Sequence, residues 1–168
     1  DMEIPLGSGQ AMLAPKIEGR MLQALGLERG ERVLEVGTGT GFFAACLAEL
    51  AGAVESLEIH EGLAQGARAT LAALGYGRVR VQTGDVFGLS LPPGYDAIVL
   101  TGSLPVYDPR FERALAVGGR LFAIVGLPPV MEARLVTRTA ADAWLAETVL
   151  ETCIEPLVNA SPAPHFLF

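Results

Sequence analysis

Val33 to Phe42, VLEVGTGTGF, decides how the rest of the chain is read. Val33, Leu34 and Val36 form a short β-prone run around Glu35, and the run leads straight into a loop with glycine at 37, 39 and 41. That succession is a strand, a tight turn and the start of a helix. Glycine reaches backbone angles closed to other residues, and without a Cβ it lets a ligand lie directly on the main chain. The turn is therefore read as a ligand site.

The stretches that follow supply partners for this loop. Ala53 to Ile59, AVESLEI, reads as a second strand whose terminal acid, Glu58, lies 21 residues beyond Gly37. At that separation a βαβ unit brings a carboxylate back beside the first loop, where it can accept both hydroxyl hydrogens of a ribose. The competing reading of Glu58 is a solvated acid at a helix start. His60 reads as a cap or a wall of the same pocket. Val79 to Thr83, VRVQT, alternates as a third strand and delivers Gly84, Asp85 and Val86. Asp85 can accept from the exocyclic amine of an adenine, and the following backbone N–H can serve a ring nitrogen. A dinucleotide fold, with G-x-G-x-x-G under a pyrophosphate, is the rival reading of the loop. Its third glycine would fall at 42, which is Phe42.

Before this unit, Asp1 to Ala14 reads as a polar, glycine-bearing lead, and Pro15 to Leu25 as a helix with Ile17, Met21, Leu22 and Leu25 on one face and Gly26 as its stop. Phe42 to Leu50 is an apolar helix. Glu61 opens another, with Leu63, Ala67, Leu71 and Leu74 recurring before Gly75. Tyr95 to Leu100, YDAIVL, is the nearly continuous apolar run of a buried parallel strand. Arg110 to Leu115 reads as a short helix, Gly118-Gly119 as a turn and Arg120 to Val125 as a fifth strand. Glu132 to Arg138 and Glu147 to Ile154 read as a final strand pair with a longer connection around Trp144. The tail, with Pro162, Pro164 and His165, is expected on the surface.

At 168 residues the chain suits one domain, 1–168, and 51% hydrophobic residues with a mean hydropathy of +0.40 suit a sheet buried on both faces. No apolar run reaches the ~18 residues of a membrane span, and no basic stretch precedes an apolar run as in an export signal. The expected compartment is the cytoplasm. Cys46 and Cys153 sit in apolar segments without C-x-x-C spacing, so they read as buried filler, and neither metal nor redox chemistry is signalled. A net charge of −7, with the 12 basic residues scattered, weighs against a nucleic-acid partner.

With Glu35 two residues ahead of the first glycine, the G-x-G-x-G loop resembles the first motif of class I S-adenosylmethionine-dependent methyltransferases. The stretches GSGQAMLAPKIEGRMLQAL, VLEVGTGTGF, GYGRVRVQTGDV, YDAIVLTGSLP and GGRLFAIVG together look like the protein-L-isoaspartate O-methyltransferase family, in matching order over nearly the whole chain. The resemblance implies an α/β, Rossmann-like, mostly parallel seven-stranded sheet with helices on both faces and an antiparallel last strand. It implies S-adenosyl-L-methionine as cofactor, S-adenosyl-L-homocysteine as product, and isoaspartyl residues of damaged protein as methyl acceptor. The adenosine half is then expected against Glu58, Ile59, Gly84, Asp85 and Val86. The methionine half is expected against Glu35, Val36, the loop Gly37, Thr38, Gly39, Thr40 and Gly41, and Thr101.

Two departures from the family bear on substrate. In the pattern G-Q-x-I-S-x-P, Leu13 stands where the family has serine, so that Ser8, Gln10 and Leu13 become the substrate-loop candidates. The helices that the family carries ahead of this loop are missing from the chain. No catalytic dyad is needed, because a carboxylate acceptor is already ionised near pH 7 and the protein's task is placement. A cysteine-nucleophile methylase is disfavoured because Cys46 lies within a helix, and an amino-methylase because Thr101-Gly102-Ser103-Leu104 replaces N/D-P-P-Y. The rival from another class is a homologue that holds the cofactor without methylating, as sensor or partner subunit. A nucleotide-dependent oxidoreductase is the third reading.

Overall fold

The computed structural model describes residues 2–7 and 9–162. Seven strands form one sheet in the order β5-β4-β3-β6-β7-β8-β9. They are β3 (Arg32–Val36), β4 (Ala53–Glu58), β5 (Arg80–Thr83), β6 (Tyr95–Leu104), β7 (Leu115–Leu127), β8 (Val130–Ala140) and β9 (Ala143–Thr152). The five from β5 to β7 are mutually parallel, β8 pairs antiparallel with β7, and β9 pairs antiparallel with β8. The helices are α1 (Pro15–Leu25), α2 (Phe42–Leu50), α3 (Glu61–Ala73) and α4 (Pro109–Ala114).

Neighbouring residues on a strand point to opposite faces, which is why one sheet supports two cores. Val33, Ala97 and Phe122 face Met21 and Leu25 of α1, Phe43 and Leu47 of α2 and Leu71 of α3. Their sequence neighbours Leu34, Ile98 and Leu121 face Phe111 and Ala114 of α4. Burial of each such large side chain contributes about 1.5–3 kcal/mol. Gly26 closes α1 in the left-handed region at φ 51°. Arg120 donates to the helix-terminal carbonyl of Leu25 through Nη2 at 2.6 Å and pairs with Glu31 at 2.6 Å, fastening the end of α1 to β7.

Several expectations are corrected here. The lead is not a loop: Ile4–Gly7 (β1) and Gln10–Met12 (β2) pair as an antiparallel hairpin. β6 runs on past Leu100 to Leu104, because Ser103 and Leu104 pair with Ile124 and Val125 of β7. β7 begins at Leu115, and Gly118-Gly119 lies inside it; a Cβ on Gly119 would stand 2.7 Å from the Tyr95 carbonyl, so that glycine admits the neighbouring strand. Trp144 is within β9, opposite Arg138, and donates from Nε1 to the Glu112 carbonyl at 3.1 Å. Only Ala141 and Asp142 join β8 to β9. Cys153 is exposed and Cys46 half-buried; Cys153 lies just past the end of β9, where its neighbour Ile154 takes the buried place. Pro162 is exposed, and His165 and Pro164 lie outside the described residues.

Candidate functional site

Val36, the last residue of β3, stands opposite Leu57 of β4 on one side and Leu100 of β6 on the other. Chain order reverses at this strand, so the loops leaving β3 and β6 diverge and open a cleft at the carboxyl ends. Its walls are Val36, Gly37 and Gly39; Leu57, Glu58 and Ile59; Gly84, Asp85 and Val86; and Thr101 and Gly102.

The glycine loop is held as a unit. Gly37, Gly39 and Gly41 have φ of 100°, 54° and 86°. The Gly37 N–H donates to the Leu57 carbonyl at 2.8 Å. The Thr101 hydroxyl lies 2.9 Å from the Val36 carbonyl and 2.7 Å from that of Gly37. A Cβ on Gly37 would stand 2.1 Å from Thr101 Oγ1, so this glycine is needed for space as well as for its backbone angle.

Glu58 is 5% exposed, and its carboxylate takes the Gly39 N–H on Oε2 at 2.9 Å and the His60 N–H on Oε1 at 3.0 Å. A carboxylate offers about four acceptor sites, so each oxygen keeps one for a ligand. Asp85 accepts the Phe87 N–H on Oδ1 at 2.9 Å and the Asn159 side-chain amide on Oδ2 at 2.9 Å. His60 caps α3 without a side-chain hydrogen bond, and its Nε2 is buried without a partner among the described residues; it does not line the cleft.

Other expected site residues are distributed differently. Thr38 and Thr40 line a smaller recess beside the cleft, together with Gly37, Gly39, Leu13 and Thr101. Gly41 lines neither cavity and packs toward Leu71 and Ala67. Gln10 and Leu13 line the cleft, and Ser8 lies outside the described residues. Glu35 is fully buried beneath the loop and lines neither the cleft nor the recess. Its Oε2 accepts from the Ser56 hydroxyl, which in turn lies 2.5 Å from Thr38 Oγ1.

Burial, reinforced by the nearby acids Glu18 and Glu58, pushes the Glu35 carboxyl up to about 8 against an ordinary 4.5. The folded protein thus holds a proton that the unfolded chain gives up. The resulting stability is full below about pH 4.5 and is lost as pH rises to about 8. Glu35→Gln, which cannot ionise, is expected to flatten this dependence by on the order of 1–3 kcal/mol. Thermal melting of both proteins across that range checks it; parallel curves would remove Glu35 as the titrating group.

The chain matches the profile of the family described as Protein-L-isoaspartate(D-aspartate) O-methyltransferase over residues 1–161. It belongs to that family. Protein-L-isoaspartate O-methyltransferase 1 of Rhodopseudomonas palustris is 42% identical over 98% of this chain and 70% of its own length. The isoaspartate methyltransferase of Anaeromyxobacter dehalogenans is 40% identical over 97% of this chain and 79% of its own. A Plasmodium falciparum protein described as an isoaspartate methyltransferase, solved with S-adenosyl-L-homocysteine, superimposes with a TM-score of 0.79 at 17% identity, covering 94% of this chain and 80% of that one. That likeness is one of fold.

The cleft also has walls that no local sequence pattern marks. Leu6 and Ala11 come from the β1–β2 hairpin, Leu63 from α3, and Ile154, Glu155, Leu157 and Val158 from a strap after β9. The strap is pinned where the Ser103 N–H donates to the Glu155 carbonyl and the Leu157 N–H to that of Ser103, both at 2.9 Å. Its only local sign is Pro156-Leu157, an apolar pair after the last strand. Glu18 lines the recess, and its sign is plainer: helical spacing places it on the same face as Met21, Leu22 and Leu25.

Proposed function

We propose that this protein is an S-adenosyl-L-methionine-dependent methyltransferase acting in the cytoplasm on the carboxylate of isoaspartyl residues in protein, within one domain, 1–168. Glu58 carries the reading: a buried carboxylate with spare acceptor sites, held by the backbone of the glycine loop at the reversal of strand order. The residues fit the cofactor. Glu58 and Ile59 take the ribose side, Gly84, Asp85 and Val86 the adenine side, and Val36, the Gly37–Gly41 loop and Thr101 the methionine side. Glu35 supports the loop from below through Ser56 and Thr38. Bound there, S-adenosyl-L-methionine supplies a methyl group activated on a sulfonium. The protein's own work is to align the acceptor with that methyl and keep water away, since an ionised carboxylate needs no base. Calorimetric titration with S-adenosyl-L-homocysteine and methyl transfer to an isoaspartyl peptide test the two halves of the proposal.

Leu13 favours a second reading, in which the cofactor is held and transfer is weak. It is 8% exposed, sits among the core residues of α1 and presents an apolar wall to the cleft. A carboxylate against that wall loses hydration without a new donor, at roughly 1–3 kcal/mol, or about one to two decades in rate. Leu13→Ser is expected to raise turnover on an isoaspartyl peptide about tenfold while costing roughly 2–3 kcal/mol of stability from lost burial. Initial rates taken well below the melting transition check it. Fast turnover by the unaltered protein, or no gain in the variant, would refute Leu13 as the limiting wall.

A further inference from the structure

Glu18 is 6% exposed in the first turns of α1, and its enclosed Oε2 has no hydrogen-bond partner among the described residues. It opens onto the recess under the glycine loop beside Leu13, Gly37, Thr38 and Thr101. No Lys or Arg lines that recess among the described residues. The titratable groups beside it are Glu35 of β3, which keeps its proton up to about pH 8, and the Cys46 thiol of α2, and neither is a cation. Burial pushes the Glu18 carboxyl up from its ordinary range. A buried acid on a recess that no cation lines among the described residues lacks a cationic donor there.

The order of groups along the strand ends identifies the donor. Asp85 follows β5, Glu58 ends β4, and the glycine loop follows β3, with Glu18 beneath it. A cofactor with adenine at Asp85 and ribose at Glu58 extends its amino-acid chain past the loop toward the recess. We propose that Glu18 forms an ammonium subsite, its carboxylate receiving the α-ammonium of the cofactor's methionine half. A sulfonium has no N–H to offer, whereas a primary ammonium has three. This inference rests on the cofactor assignment above.

Three probes test it by calorimetry: S-adenosyl-L-homocysteine, 5′-(3-aminopropylthio)-5′-deoxyadenosine, which keeps the ammonium without the carboxylate, and 5′-propylthio-5′-deoxyadenosine, which lacks both. The unaltered protein is expected to bind the aminopropyl probe about tenfold or more tighter than the propyl probe. In Glu18→Gln the gap closes to about twofold, with affinity for the propyl probe unchanged. A gap below about threefold in the unaltered protein overturns the subsite without recourse to any variant. A gap that persists in Glu18→Gln overturns it as well. Failure of the unaltered protein to bind any of the three overturns the cofactor assignment, and the subsite with it; binding of all three without a gap overturns the subsite alone.

Discussion

Gly37→Ala is expected to abolish detectable binding of S-adenosyl-L-homocysteine and to lower the melting temperature. The added methyl would lie 2.1 Å from Thr101 Oγ1, at a residue whose φ is 100°. Such backbone costs a non-glycine residue about 1–3 kcal/mol. To admit the methyl, the Thr101 hydroxyl must also leave the Val36 and Gly37 carbonyls that it holds at 2.9 and 2.7 Å. The loop then shifts, and the Gly39 N–H shifts with it away from Glu58. An affinity loss of about a hundredfold or more is expected, together with about 2–4 kcal/mol of stability from strain and a broken buried contact. Adding Thr101→Ala removes the clash while leaving the backbone strain, so the double variant should recover part of both losses. Gly39 is the milder position, since a Cβ there meets only the end of Leu6, at 3.1 Å. A Gly37→Ala protein that binds normally would show that ligand does not rest on this loop.

Glu58→Ala removes the acceptor of two backbone N–H groups as well as the proposed acceptor of the ribose hydroxyls. Hydrogen bonds to a charged partner contribute roughly 1.5–3 kcal/mol, so affinity for S-adenosyl-L-homocysteine should fall by tenfold to somewhat over a hundredfold. The Gly39 N–H and the His60 N–H at the start of α3 also lose their partner, and a lower melting temperature is expected. Glu58→Gln keeps one acceptor oxygen but turns an NH₂ toward one of those N–H groups, so it should fall between the alanine variant and the parent. Calorimetry on the folded proteins separates the cases. Equal affinity in Glu58→Ala would move the ribose elsewhere and leave Glu58 as a helix-start acid.

The site was legible where its chemistry is local. The glycine spacing, the acid at the end of β4 and Asp85 after β5 were readable because each sits at a strand end that its own neighbours define, and the cleft places Glu58 and Asp85 on its walls. Its place before the loop marks Glu35 as a site residue in the sequence. Strand alternation instead turns it inward to Ser56, away from the cleft. In sequence Leu13 marks only an altered wall residue, yet it is also part of the core beneath α1.

By itself the sequence determined the alternation of strands and helices, the position of the ligand loop and the spacing of the acids, because a side-chain period of 2 or 3.6 and glycine punctuation are properties of adjacent residues. Only the tertiary structure decided what fills the space around the loop. Thr101 reaches Gly37 from 64 residues away, the Ile154–Val158 strap reaches the cleft through Ser103, and the hairpin of β1 and β2 brings Leu6 over Gly39. Contacts of that kind depend on which distant elements a two-sided sheet stacks together, and no local pattern encodes them. Glu18 is the sharpest instance: helical spacing puts the acid on the buried face, and only the packing of α1 beneath the loop sets it on the recess.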